Sequence, residues 1–342
     1  MTLEKKQKIA SYTVAFPIKE GSYAETYRVK DNKGKNYFLK LIFCSKLHYT
    51  QFDNEGKVIE LEIAKQLNHP NVTSYHDSGE IIINGQQCVY IVFDFIVGET
   101  AAQQVTREQR CSVYNAKQIT LGVLNGLKFL HSLPKPVIHN EITTQNVMMD
   151  LSQGAPKAKI IDFGYARYQD QGTSAYMKDG LSPFYQAPEA LNGVFSPQSD
   201  IFSVGVMLYH LLYGMLPYLT ELPKDHSDKN KIIQAITEAR SHSLRIPNVS
   251  KFEMDEQIVN IMTKALAIDI EDRFTSAEEF IKAINGEIKV ERVVNKKRNI
   301  KPANEESTNE PKVINRKKGN GFKDFAGMTL LKEQLQSDVI DL

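Results

Sequence analysis

At 342 residues, 42% hydrophobic and 24% charged, the chain has room for about two domains and the composition of an ordinary soluble globular protein. Forty-two basic side chains against 41 acidic leave a formal charge of +1, which excludes a global field toward nucleic acid or a membrane surface. No apolar run reaches bilayer length and the N-terminus lacks the apolar core of a signal peptide; three isolated cysteines, Cys44, Cys88 and Cys111, argue against a disulfide frame or zinc site and for a reducing, cytoplasmic setting.

Residues 11–42 alternate as strands do, with a turn at Asp31-Asn32-Lys33-Gly34 before a strand over 36–42. The loop before that turn keeps one glycine, Gly21, between Lys19 and Ala24; by itself it reads as a surface hairpin. Lys40 sits inside the apolar strand, and a charge there needs a partner or a ligand. Val58, Leu61, Ile63, Ala64 and Leu67 predict a helix over 57–68, ended by His69-Pro70-Asn71; it carries two carboxylates, Glu60 and Glu62. Asn84-Gly85 between β-branched runs predicts a hairpin over 80–93.

A helix is predicted over 115–132, where Ile119, Val123, Leu127 and Leu130 share a face. Residues 137–164 organise the chain. Two short apolar strands, 146–149 and 159–161, flank a polar turn. His139, Glu141 and Asn146 precede or open the first strand, and Asp162-Phe163-Gly164 follows the second. Carboxylate and amide groups at both open ends of such a hairpin can hold a divalent metal and a phosphate. Residues 165–181 are polar and without period, and lead to Ser182-Pro183-Phe184-Tyr185-Gln186-Ala187-Pro188-Glu189. The apolar helix over 199–209 reads as buried, which makes Asp200 either its N-terminal cap or a buried anchor. A final helix is predicted over 276–285 with Ser276 as cap.

Taken in this order, Lys40, Glu60, His139-Asn140-Glu141-Ile142-Thr143-Thr144-Gln145-Asn146, Asp162-Phe163-Gly164, Ala187-Pro188-Glu189, Asp200 and Arg273 resemble the motifs of the protein kinase superfamily, serine/threonine type, over residues 11–286. The resemblance implies an α+β bilobal fold: a small β-rich N-lobe (11–95) of five strands and one helix, and a larger, mainly helical C-lobe (99–286). It implies ATP and Mg2+ as cofactors and a protein substrate. Lys40 would hold phosphates, oriented by Glu60 with Glu62 as the alternative; Asn146 and Asp162 would bind the metal; Glu141 would stand at the catalytic base. Nucleotide contacts would come from Ile18, Gly21, Thr26, Phe38, Lys40, Glu60, Asp94, Ile96 and Met148, with Phe93 as gatekeeper. Ser182 would hydrogen-bond the catalytic loop, Asp200 would anchor that loop, and Glu189 would meet Arg273.

The departures from the family pattern bear on chemistry. Glu141 replaces Asp, and its extra methylene moves the carboxylate by on the order of 1 Å, which can cost roughly a hundredfold in rate. Thr143 replaces a phosphate-binding Lys, removing a cation but keeping a hydroxyl. Asn140 replaces Arg, so a phosphorylated Thr173, Ser174 or Tyr176 has no cationic socket beside the base. Phe38 replaces a small residue at the adenine roof. Three hypotheses follow: an active protein kinase with a glutamate base; a pseudokinase acting as a nucleotide-binding regulatory module; and a small-molecule kinase, against which Ser182 and Ala187-Pro188-Glu189 argue. Residues 287–320, rich in Lys, Arg, Asn, Glu and Pro, with Asn295-Lys296-Lys297-Arg298 and Arg316-Lys317-Lys318, read as a solvated flexible linker. Residues 321–342 resemble the start of a truncated AAA-type ATPase domain, a partner in the same polypeptide, with a short docking helix as the alternative.

Overall fold

The computed structural model describes residues 1–152, 154–171, 181–218, 229–241, 244–247 and 256–294. Thr173, Ser174 and Tyr176, the basic runs at 295–298 and 316–318, most of the expected linker and the whole 321–342 segment lie outside the described residues.

The small lobe is an antiparallel sheet built from β1 (Lys8–Ile9), β2 (Tyr12–Glu20), β3 (Ala24–Lys30), β4 (Asn36–Phe43), β5 (Tyr75–Ile83) and β6 (Gln86–Asp94), in the order β1-β2-β3-β4-β6-β5. Five strands are expected from sequence; the sixth, β1, has two residues and so carries no period to read. Asn84 and Gly85 both adopt left-handed φ, +51° and +76°, as the tight β5–β6 turn requires. Alternation along β4 sorts its side chains. Leu39, Leu41 and Phe43 join Val14, Tyr27, Val29 and Val92 in one apolar core, while Ile42, Ile91 and Phe93 join the other. Lys40 alternates with Leu39 and Leu41, so it shares the face of Ile42, and register sets it opposite Thr26 on one side and Ile91 on the other.

The helix expected over 57–68 is shorter, α1 (Ile59–Ala64). Its start is delayed because Asp53 Oδ1 accepts from the Glu55 and Lys57 amides, at 2.9 Å each, and Val58 bridges Phe52. At its far end the Gln66 and Leu67 amides reach back only three residues, to Ile63 and Ala64, so the chain leaves as a tight turn before Pro70.

The large lobe contains β7 (Gly98–Thr100), α2 (Ala101–Glu108), α3 (Val113–His131), β8 (Val137–Ile138), β9 (Val147–Asp150), β10 (Lys157–Ile160), β11 (Arg167–Tyr168), α4 (Pro188–Leu191), α5 (Pro197–Tyr213), α6 (Lys229–Ser241), α7 (Glu256–Ala265) and α8 (Ala277–Ile284). The hairpin strands expected at 146–149 and 159–161 are shifted. Asn146 closes a 3-10 turn, Thr144–Asn146, capped by Thr143, so β9 begins at Val147; β10 pairs it from Val147↔Ile160 to Asp150↔Lys157. Ser276 caps α8, accepting from the Glu279 amide at 3.2 Å. Among the described residues no helix is long and apolar enough to cross a membrane.

The hub is α5, buried on every side from Ser199 to Tyr213. Pro197 at its first turn, a Ser196–Ser199 capping box and left-handed Gly214 (φ +71°) set its ends. Gly205 lets it approach α7: a Cβ there would lie 2.9 Å from the Ala265 Cβ. Arg273, 1% exposed, forks onto Glu189 at 2.7 and 2.8 Å. Its remaining N–H groups reach the carbonyls of Ala267, Ile268 and Gln198, so all five donors of the guanidinium are used.

His210, also on α5 and 6% exposed, has its Nδ1 2.8 Å from the Tyr185 hydroxyl. Burial pushes its pKa down to about 4. Unfolded chain therefore takes up a proton, between about pH 6.5 and pH 4, that the fold refuses. Stability is fully present above that window and falls as pH drops through it, by about 3 kcal/mol for this group. Urea unfolding of the wild type and His210→Gln at pH 7.5 and 5 is expected to show a smaller acid loss in the variant; equal losses would remove His210 from the account.

Candidate active site

Lys40, Glu60, Asp162 and Tyr23 converge at one point. The Lys40 Nζ lies 2.6 Å from Glu60 Oε1, 3.0 Å from Asp162 Oδ1 and 3.1 Å from the Tyr23 hydroxyl. An ammonium has three donors, and all three are taken. Glu62 faces elsewhere and pairs with Lys65 at 2.7 Å. Burial by itself would discharge Lys40, but Asp162 and Glu60 outweigh it and hold its pKa well above the usual range. Burial pushes the Glu60 carboxyl up, against the pull of Lys40. Asp162 is shifted the other way: desolvation opposes ionisation, yet the Lys40 charge and the Gly164 amide hold its carboxyl well below the usual range. Its side chain is 47% exposed, so it meets both the ammonium and open solvent.

Tyr23 had no role in the sequence reading. It comes from the loop with a single glycine, and its hydroxyl also lies 3.3 Å from Glu60 Oε2. Burial, then the Glu60 charge, raises its pKa well above the ordinary phenol value, so it stays neutral. Gly164 makes room for it, since a Cβ there would sit 2.0 Å from the Tyr23 oxygen. The one available signal was an aromatic residue in a polar loop that Gly21 bends tightly, where the Gly21 amide bonds the Ala24 carbonyl at 2.8 Å.

Asp200 resolves its two sequence readings. It is fully buried and accepts from the amides of His139 at 2.9 Å and Asn140 at 2.8 Å, while Ser196 and Ser199 cap the helix. Asp200 therefore holds the turn that presents Glu141. His139, depressed in pKa first by burial, is neutral: Nδ1 accepts from the Glu141 amide at 3.2 Å and Nε2 donates to the Ile161 carbonyl at 3.2 Å. The Ile161 amide in turn bonds the Asn146 carbonyl at 2.9 Å. These bonds tie Glu141, Asn146 and Asp162 into one unit although up to twenty-one residues separate them. Asn140 and Asp162 adopt left-handed φ, +67° and +59°, which Asn and Asp tolerate better than most residues.

Asn146 donates its side-chain amide to the Glu141 carbonyl at 3.0 Å, leaving Oδ1 as the remaining acceptor. Burial, then the Asp162 charge, pushes the Glu141 carboxyl upward. Thr143 is 7% exposed and its oxygen accepts from the Asn146 amide at 3.3 Å, so its hydroxyl is engaged in holding the loop. Asn140 donates to the Tyr165 carbonyl at 2.9 Å. Among the described residues Ser182 makes no side-chain hydrogen bond to this loop; its carbonyl accepts from the Tyr185 amide at 3.3 Å, and Tyr185 makes the link instead, its hydroxyl 3.2 Å from Thr144 Oγ1.

The residues expected to contact nucleotide are placed as follows. Thr26 stands beside Lys40 in the sheet and bonds the Lys19 carbonyl at 3.3 Å. Phe38 shares the Lys40 face of β4 and tilts against Phe93 with ring centres 6.5 Å apart. Ile18 is 45% exposed on β2. Asp94 ends β6, its amide on the Ser74 carbonyl at 3.0 Å and its side chain 3.3 Å from Lys35. Ile96 lies half-buried in the crossing between lobes, and Met148 is the half-buried residue of β9 between buried Val147 and Met149.

The donor set fits a hard cation and a polyphosphate: a carboxylate, an amide oxygen and an ammonium. Among the described residues no cluster of three or more His, Cys, Asp and Glu forms a separate metal cage.

A family model described as protein kinase domain matches residues 12–284. CBL-interacting protein kinase 8 of Oryza sativa subsp. japonica is 29% identical over 62% of this chain and 46% of its own length. The probable serine/threonine-protein kinase PknB of Bifidobacterium longum is 26% identical over 65% and 31%, respectively. Serine/threonine-protein kinase Nek2 of Homo sapiens is 28% identical over 64% and 49%. The chain spans less than half the length of these curated relatives.

Proposed function

This chain belongs to the protein kinase family, and from that premise we propose that it transfers the γ-phosphate of ATP to Ser or Thr hydroxyls of protein substrates, with Glu141 in place of the usual aspartate. The observation that carries this reading is the meeting of Lys40, Glu60 and Asp162 beside the loop that presents Glu141 and Asn146. The names of the relatives favour Ser and Thr as acceptors.

Lys40 is the phosphate-holding cation and Glu60 orients it. Magnesium, when bound by Asp162 and Asn146, supplies neutralisation of phosphate charge. Glu141, once ionised, receives the hydroxyl proton. Ile18, Gly21, Thr26, Phe38, Asp94, Ile96 and Met148 enclose the nucleotide. We place this domain at residues 8–294 rather than at the 11–286 expected from sequence, because β1 pairs with β2 and Val290 is 4% exposed with its carbonyl accepting from Asn260 at 3.1 Å, so that of the linker expected over 287–320 only the part beyond 294 is proposed.

A second reading is favoured by Tyr23, which fills the third donor position of Lys40. In it the domain is a pseudokinase, a nucleotide-binding regulatory module for an ATPase domain that begins near residue 321.

Thermal melting with Mg-ATP and transfer of labelled phosphate to a serine-peptide array separate the two. The first reading expects a raised melting temperature and labelled peptides, with Glu141→Gln keeping the thermal shift but losing about a hundredfold in transfer. A shift without transfer selects the second reading. Label on a metabolite alone, or no shift and no transfer, defeats both.

A further inference from the structure

Lys19 lies near the end of β2, just before the tight bend at Gly21. Register fixes the face it takes. Lys19 stands opposite Thr26 on β3, and Thr26 stands opposite Lys40 on β4. Residues directly opposite in an antiparallel sheet share a face, so Lys19, Thr26 and Lys40 form one row on the face that lines the site. At about 4.8 Å per strand, the backbone of Lys19 enters that row about 10 Å from that of Lys40. Glu20 and Glu25, the next pair toward the bend, take the other face. The Thr26 hydroxyl donates to the Lys19 carbonyl at 3.3 Å and ties the two strands at this point.

The hairpin is bent down over the site. Tyr23, at its tip, brings its hydroxyl to 3.1 Å from the Lys40 Nζ and 3.3 Å from Glu60 Oε2. Lys19 is carried over the cleft with it. The two lysines of the row then differ. Lys40 is 7% exposed, with its donors on Glu60, Asp162 and Tyr23, whereas Lys19 is exposed. Among the charges that bear on the Glu141 carboxyl are those of Lys40 and Lys19, both of which favour its ionised form against burial. The catalytic loop itself has Thr143, an uncharged side chain, where its motif would carry a cation. An exposed strand lysine ordinarily serves solvation, for which the outer face would suffice. This one presents its charge on the side where Lys40 and Asp162 meet.

We propose that Lys19 is a nucleotide-binding residue that acts from the sheet in place of a cation on the catalytic loop: its ammonium meets the terminal phosphate of a nucleoside triphosphate and supplies the charge that Thr143 lacks. The inference rests on the reading of this cleft as a nucleotide site, which both functional readings above share. A glycine at position 19 could offer phosphate only its backbone, whereas an ammonium on a flexible four-carbon stem adds a full charge. Lys40 is fixed by two carboxylates, so the cation that can follow the outermost phosphate is Lys19. Lys19 makes and breaks no covalent bond. It neutralises charge, so its effect is confined to nucleotides that carry the third phosphate.

The test is titration calorimetry on full chains in the presence of magnesium, with ADP and the non-hydrolysable triphosphate AMP-PNP as probes. Lys19→Met is expected to weaken AMP-PNP binding about tenfold and ADP binding by less than about twofold, as the loss of one charge-assisted hydrogen bond to the terminal phosphate requires. Lys19→Arg keeps the charge and is expected to retain most of the AMP-PNP affinity. Because Lys19 is exposed, Lys19→Met without nucleotide is expected to melt with the wild type, so the comparison is between folded chains. Unchanged AMP-PNP affinity in Lys19→Met, equal losses for the two nucleotides, or Lys19→Arg no better than Lys19→Met overturns the proposal. Wild type that binds neither nucleotide overturns the parent reading instead, and this inference with it.

Discussion

Asp162→Ala is expected to cut phosphate transfer at least about a thousandfold, roughly 4 kcal/mol of transition-state stabilisation, while leaving the fold standing. Asp162 is half-exposed and also meets Lys40, so its loss would remove the proposed cation ligand and one of the two charges that orient the ammonium. The fold survives because Lys40 keeps Glu60 at 2.6 Å and the Tyr23 hydroxyl at 3.1 Å, and no buried cation is left bare. Labelled-phosphate transfer and thermal melting, run on the same preparation, check both halves. A variant that retains more than about a tenth of wild-type transfer would remove Asp162 from the metal site; one that unfolds would show that Asp162 is structural.

Glu189→Ala is expected to destabilise the protein by about 3–5 kcal/mol. Arg273 is 1% exposed and loses both arms of its fork, so a charge that was fully compensated becomes bare in the interior. The Ala267, Ile268 and Gln198 carbonyls still accept from it, but they carry no full charge. Removing both partners, as Glu189→Ala with Arg273→Met, is expected to recover most of the loss, because the penalty belongs to the widowed charge rather than to the missing contact. Urea unfolding across the double-mutant cycle reads this directly. A single-variant loss under about 1 kcal/mol, or a double variant no better than Glu189→Ala, would contradict the assignment.

Much of the architecture is legible in the sequence alone. The Asn84-Gly85 turn, the Ser276 cap and the buried character of the 199–209 helix are local signals: φ preference, a side chain bonding its own helix, and apolar residues on all faces. Local pattern also misled in places. The helical period over 57–68 was real, but the Asp53 turn and the Phe52–Val58 bridge held the chain out of helix until Ile59. Asn146 looked like the first strand residue because apolar residues follow it; the Thr143 hydroxyl drew its amide into a turn instead.

The order of motifs along the chain determined the family, the two-lobed α+β plan and the set of residues that could meet at a cleft. Each of those signals is written within a few neighbouring residues, where backbone geometry and side-chain period act directly. Only the tertiary structure decided that Glu60 and not Glu62 meets Lys40, that Asp200 holds the catalytic loop instead of capping a helix, and that Tyr23 closes on the ammonium. Those outcomes depend on which of several chemically equivalent groups is carried into contact when lobes and helices pack. Lys40 and Asp162, 122 residues apart, have no local relation from which their 3.0 Å approach could be read.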